Sequence, residues 1–112
     1  MSRQPDSRQI PISIIASVLE VVEFYATPNP FDVECTFGYT GTGTASVMSV
    51  EVYDLAGALV WAEQQANVPK IVWDGTGGAP CHPVANGAYI YVISASDGTN
   101  TFIDEGKVFV KH

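Results

Sequence analysis

The side chains able to do chemistry are few. There are two cysteines, Cys35 and Cys81, and two histidines, His82 and His112. A nucleophile needs a base and an orienting group within hydrogen-bond reach. Cys81 and His82 are adjacent, but neighbours on an extended loop point apart, so no catalytic pair is expected. The cysteines lack CxxC spacing and a histidine cluster, which argues against zinc. They read either as one Cys35–Cys81 disulfide or as two separate thiols. Asp74-Gly75-Thr76-Gly77 resembles half a calcium loop, but the full series of oxygen donors is missing. Asp74 reads instead as the cap of a turn after Trp73, and Asp104-Glu105 as solvated edge charge. The expectation is therefore no enzyme, no cofactor and no metal.

Composition narrows the partners. The 112 residues suit one domain, with 46% hydrophobic and 15% charged residues. Twelve acids against five Lys and Arg give a net charge of −7. So few cations disfavour nucleic acid and an anionic membrane surface. Protein partners are the expectation, as a homo-oligomer or a component of a larger assembly. The apolar run Ile10–Val22 is broken by Pro11 and Glu20. It reads neither as a secretion signal nor as a membrane span.

The element that organises the chain is Val47–Ala62. Met48, Val50 and Val52 alternate with more polar neighbours, the two-residue period of a half-buried strand. Asp54-Leu55-Ala56-Gly57 then makes a turn, with Gly57 as a left-handed bulge residue. That predicts Val52 opposite Val60 and Val50 opposite Ala62, leaving Tyr53, Leu59 and Trp61 outward as an interface patch. A plain four-residue loop would instead bury Trp61.

Around this hairpin the reading predicts a polar and apolar extended arm over 1–17 and a first strand near 18–26. Thr27–Asp32 is a proline-fixed turn pinned by Phe31. A strand Val33–Tyr39 points Cys35, Phe37 and Tyr39 inward, and 40–44 is a flexible loop. Val68–Trp73 is a strand carrying Ile71 and Trp73 on one face, followed by a long loop to Pro83. Ala88–Ser94 is a central strand covered on both faces, and Asp97-Gly98 turns into a last strand over 101–111. About seven antiparallel strands give an all-β, immunoglobulin-like β-sandwich over 18–112.

Several motifs stand in one order: Pro28-Asn29-Pro30-Phe31, Val52-Tyr53-Asp54-Leu55-Ala56-Gly57, Trp73-Asp74-Gly75, Asn86-Gly87-Ala88-Tyr89-Ile90-Tyr91 and Lys107-Val108-Phe109-Val110-Lys111. Over about residues 20–112 this series resembles the Ig-like domain of the flagellar hook-capping protein. It is equally similar to the C-terminal sorting domains of type IX secretion cargo. The resemblance implies a passive module that docks, caps, anchors or is recognised by an export machine.

The expected function is a structural or assembly module on a surface layer, filament, virion or flagellar part. An extracellular, cell-surface or virion-surface location follows. A sorting domain of an exported protein is the alternative, and a carbohydrate-binding module comes after it. The arm, with Ile10, Ile12 and Ile14, is expected to lie against a neighbouring subunit or partner rather than on its own sheet.

Overall fold

The computed structural model describes residues 18–77 and 82–112. The arm residues Ile10, Ile12 and Ile14, and Cys81, lie outside these. The described residues form strands and no helix. Seven strands make two facing antiparallel sheets, the architecture of an immunoglobulin-like β-sandwich. Sheet A has the order β1-β2-β5, from Glu20–Thr27, Cys35–Thr42 and Lys70–Trp73. Sheet B has the order β4-β3-β8-β9, from Leu59–Ala66, Val47–Tyr53, Gly87–Ser96 and Thr101–Val110. Two short strands, β6 (Thr76–Gly77) and β7 (His82–Pro83), pair where the sequence predicts only a loop.

Alternation decides what each sheet buries. Cys35, Phe37 and Tyr39 from β2 face Met48, Val50 and Val52 from β3, and all six are buried. Ile71 and Trp73 complete sheet A, and Tyr89, Ile93, Ala95, Val108 and Val110 complete sheet B. Trp73 is at the centre. Its ring lies 5.4 Å from Phe31, 5.6 Å from Trp61 and 6.2 Å from Tyr89. Rings at such tilted and offset spacings add to the area they bury. The indole N–H does not go unsatisfied in this apolar setting, because it donates to the Thr76 carbonyl at 2.8 Å.

The central hairpin departs from expectation after its turn. Gly57 takes φ +92°, the Gly57 amide donates to the Asp54 carbonyl, and the Asp54 amide donates to the Ala58 carbonyl. Asp54 Oδ1 also accepts from the Ala56 and Ala58 amides, both at 2.9 Å. To this point the bulged turn is as predicted. Tyr53 then pairs with Leu59, but Val52 pairs with Trp61 and Val50 with Glu63. One extra residue, Val60, is accommodated on β4. This second bulge shifts the register by one and turns every later side chain over. Trp61 therefore joins the core, stacked on Trp73 at an interplanar angle of 24°.

Two further expectations fail locally. Residues 40–42 continue β2 rather than forming a loop, with Glu20 opposite Thr42 and Val21 opposite Gly41. Strand β8 is central, between β3 and β9, but only its inner face holds fully buried residues, and Ile90 and Val92 on the other face are half-buried.

Gly41 explains why β2 can run on. At φ +142° its α-carbon faces the Glu20 carbonyl so closely that an added Cβ would stand 1.9 Å from that oxygen. Gly87 has nearly the same φ, +147°, with nothing within 4 Å of an added Cβ. Both backbones disfavour L side chains. Alanine at each position therefore separates conformational strain from collision. Gly41→Ala is expected to cost about 2 kcal/mol more than Gly87→Ala in urea unfolding, since a backbone neighbour cannot move aside cheaply.

Candidate functional site

The motifs that stand apart in sequence meet at one end of the sandwich. The Pro28–Phe31 turn, leaving β1, lies along the outer edge of β9. Phe31 donates its amide to the Phe109 carbonyl and accepts from the Lys111 amide, each at 2.9 Å. Asn29 extends this ladder with its side chain. Its Nδ2 donates to the Lys107 carbonyl at 2.8 Å and its Oδ1 accepts from the Phe109 amide at 2.9 Å. The asparagine amide thus does the work of a peptide group between two prolines, which have no N–H to offer. The Phe31 ring enters the core beside Trp73 and is 2% exposed.

The other motifs surround this clasp. Asp74 Oδ1 accepts from the Thr76 amide at 3.1 Å and from its hydroxyl at 2.6 Å, capping the turn after Trp73 as expected. Gly75 lies against the Phe31 and His112 rings. The His112 amide donates to Asn86 Oδ1 at 2.9 Å, and its ring nitrogens lie 3.3 Å from the Asp32 carbonyl and 3.0 Å from that of Val84. Tyr89 donates its hydroxyl to the Ala85 carbonyl at 2.6 Å, and burial raises its pKa, with Asp54 adding to the shift. The roles of Asn29 and His112 are absent from the sequence reading. An asparagine flanked by prolines was the available signal for the first. A terminal histidine carries none for the second.

The interface candidates separate. Tyr53 and Leu59 lie side by side on the outward face of sheet B, Leu59 being 56% exposed. The Tyr53 hydroxyl donates to Glu51 Oε1 at 2.9 Å, a bond that raises the Tyr53 pKa. Trp61 has left this patch for the core, so the predicted aromatic surface is reduced to one ring. Ile10, Ile12 and Ile14 are outside the described residues. Cys35 is fully buried, while its candidate disulfide partner Cys81 is not among the described residues. His82 is exposed on β7. Among the described residues no three His, Cys, Asp or Glu side chains group as a metal site, and no helix is long and apolar enough to cross a membrane.

At the opposite end Asp97 organises the β8–β9 turn. Its Oδ1 accepts from the Thr99 and Asn100 amides at 2.8 and 2.7 Å, and Oδ2 from the Leu19 amide at 3.4 Å. The Asn100 and Thr99 bonds hold its carboxyl below the usual range.

The PNPF turn, the WDG turn and the final strand of the sandwich thus converge in one clasp. The comparisons give the class. The CHU_C type IX secretion signal domain family matches residues 20–110, and the chain belongs to it. Among solved structures the chain is similar to dimeric latent PorU from Porphyromonas gingivalis, at 25% identity and a TM-score of 0.61. That match covers 78% of this chain and 9% of PorU, so the chain spans about a tenth of that protein's length. CopC from Methylosinus trichosporium OB3b shares the fold, at 16% identity and a TM-score of 0.52, over 80% of this chain and 94% of CopC. No curated protein matches the chain.

Two outcomes follow from this geometry. Asn29→Ala removes a donor and an acceptor from the β9 edge and is expected to cost about 1–2 kcal/mol in urea unfolding at neutral pH, with Asn29→Asp falling between it and the unchanged chain. Burial pushes the Cys35 thiol from 9.0 up to about 11, with a backbone hydrogen bond from Thr27 working the other way. A raised folded-state pKa contributes stability that is complete below the unfolded pKa and is lost as pH rises through the folded one. The thermal midpoint should thus fall between pH 9 and 11, and less steeply in Cys35→Ala, as measured by paired melts across that window.

Proposed function

We propose that this domain is a folded export signal, the sorting domain of an exported protein recognised by a type IX secretion machine. It performs no chemistry of its own. The observation that carries the reading is the family match, because it runs from the start of β1 to the end of β9 and takes in all seven strands of the two sheets. A signal of that extent is a surface rather than a short linear tag. Recognition would then depend on the sandwich being folded, with its two sheets held in register by the clasp.

Destination follows from the same reading: a cell surface or the medium outside it. The partner is a protein of the export machine. The low cation content supports this against nucleic acid or anionic lipid, since neither could be held by three lysines and two arginines spread over the chain.

The test is to fuse a reporter upstream of residues 1–112 in a bacterium with type IX export. The reporter is expected outside the cell, and to be retained when a gene for the machine is deleted. Trp73→Ala, which empties the centre of the core, should also abolish release. Equal release with and without the machine would reject the proposal.

A further inference from the structure

The clasp closes only half of one side of the sandwich. Strands β1 and β9 are the edges of their sheets on that side, and both begin at the end where Asp97 lies. Beyond the clasp a groove of about 470 Å³ opens between them, lined by Val21, Val22, Phe24, Phe102 and Ile103 among others. A bulge between Val21 and Glu23 throws Val22 outward, leaving it 76% exposed, and Ile103 is 68% exposed. A second hollow of about 360 Å³ lies on the other side of Ile103, against Val92.

The backbone here is unpaired as well. Lys107, Phe109 and Lys111 turn their peptide groups to the clasp. The β8–β9 register is unbroken from Gly87↔Val110 to Ser96↔Thr101, so alternation turns the peptide groups of Thr101, Ile103 and Glu105 to the same open edge. The Glu105 amide is taken by Asp104 Oδ1 at 2.9 Å. Those of Thr101 and Ile103 have no partner among the described residues. An open apolar edge of this kind is a template for an added strand.

Three observations select the occupant. The described chain begins at Val18, and the Leu19 amide is bonded to Asp97, so the preceding residues start at the mouth of the groove. The rims carry acids, Glu23 and Asp104 in the lining with Glu20 and Glu105 beside them, and no cation lines either hollow. Both arginines of the protein, Arg3 and Arg8, lie before Val18, against one acid, Asp6. Five residues of edge, 101–105, lie beyond the clasp, and five extended residues cover about 16 Å.

We propose that residues 12–16 of this same chain fold back at Ser17 and add to β9 as an antiparallel edge strand. Ile14 lies opposite Ile103 on the outer face, and Ile15 turns into the groove against Phe24 and Phe102. Pro11, which has no amide hydrogen to offer, falls where the free edge ends at the clasp. The arm is therefore assigned to its own sheet rather than to a neighbouring subunit. Its local concentration at the groove mouth favours it over a second copy.

The test compares amide hydrogen exchange of the full chain with that of full chains carrying Ile14→Asp and Ile15→Asp together, or Ile103→Asp. The Ile103 amide is expected to be protected in a monomer, and to exchange at least about tenfold faster in the arm double variant. Amides of Val50 and Ile93 in the core should not change in any variant, which separates undocking from unfolding. In the Ile103→Asp chain the Thr101 amide reports the same loss. An Ile103 amide equally exposed in both chains would overturn the proposal. Protection that rises with protein concentration, together with a dimer by light scattering, would overturn it in favour of a second copy's arm.

Discussion

The fold depends on one short stretch of main-chain hydrogen bonding, the clasp of Asn29 and Phe31 on the edge of β9. Two sheets facing each other across a core are held mainly by side-chain packing, which is strong but non-directional. The clasp adds direction. It fixes β1's exit against β9 by two main-chain bonds through Phe31 and two more through the Asn29 side chain. In the same few residues it places the Phe31 ring on Trp73. Sheet-to-sheet register and core packing are thus set at one place.

This arrangement gives the spread-out family motifs a common physical cause. Prolines 28 and 30 free the turn from needing amide partners and present Asn29 to Lys107 and Phe109. Trp73 supplies the ring that Phe31 meets, and Asp74 with Gly75 turns the chain away without crowding that ring. Asn86 receives the last amide. Each motif is weak alone because each contributes one side of a shared contact. Their order is informative because the fold brings all the sides together.

The sequence revealed most of the inward faces. The alternation of Met48, Val50 and Val52, of Cys35, Phe37 and Tyr39, and of Ile71 and Trp73 is a direct consequence of the pleat, and all eight are buried. The turn at Asp54–Gly57 was legible from Asp and Gly chemistry. What followed it was not. The Val60 bulge has no glycine to announce it, and its effect is to bring Trp61 onto Trp73. Gly41 misled in the opposite sense, since a glycine that usually marks a loop here lets β2 pass close to Glu20. Asn29 shows a third limit. Its side chain acts as backbone, and the partner strand is some eighty residues away.

The Asp97–Leu19 bond and the clasp lie at opposite ends of the sandwich, so the described chain begins at one pole and finishes at the other. Tension applied between Val18 and His112 would therefore run along the strands. Bonds of a ladder pulled along its strands resist in shear, many at once, whereas bonds pulled across it open one after another. The Phe31 and Asn29 bonds stand directly in that load path, next to the β8–β9 ladder. Pulled by those two ends, the sandwich would bear load as one mechanical unit, with the clasp and the long ladder sharing it.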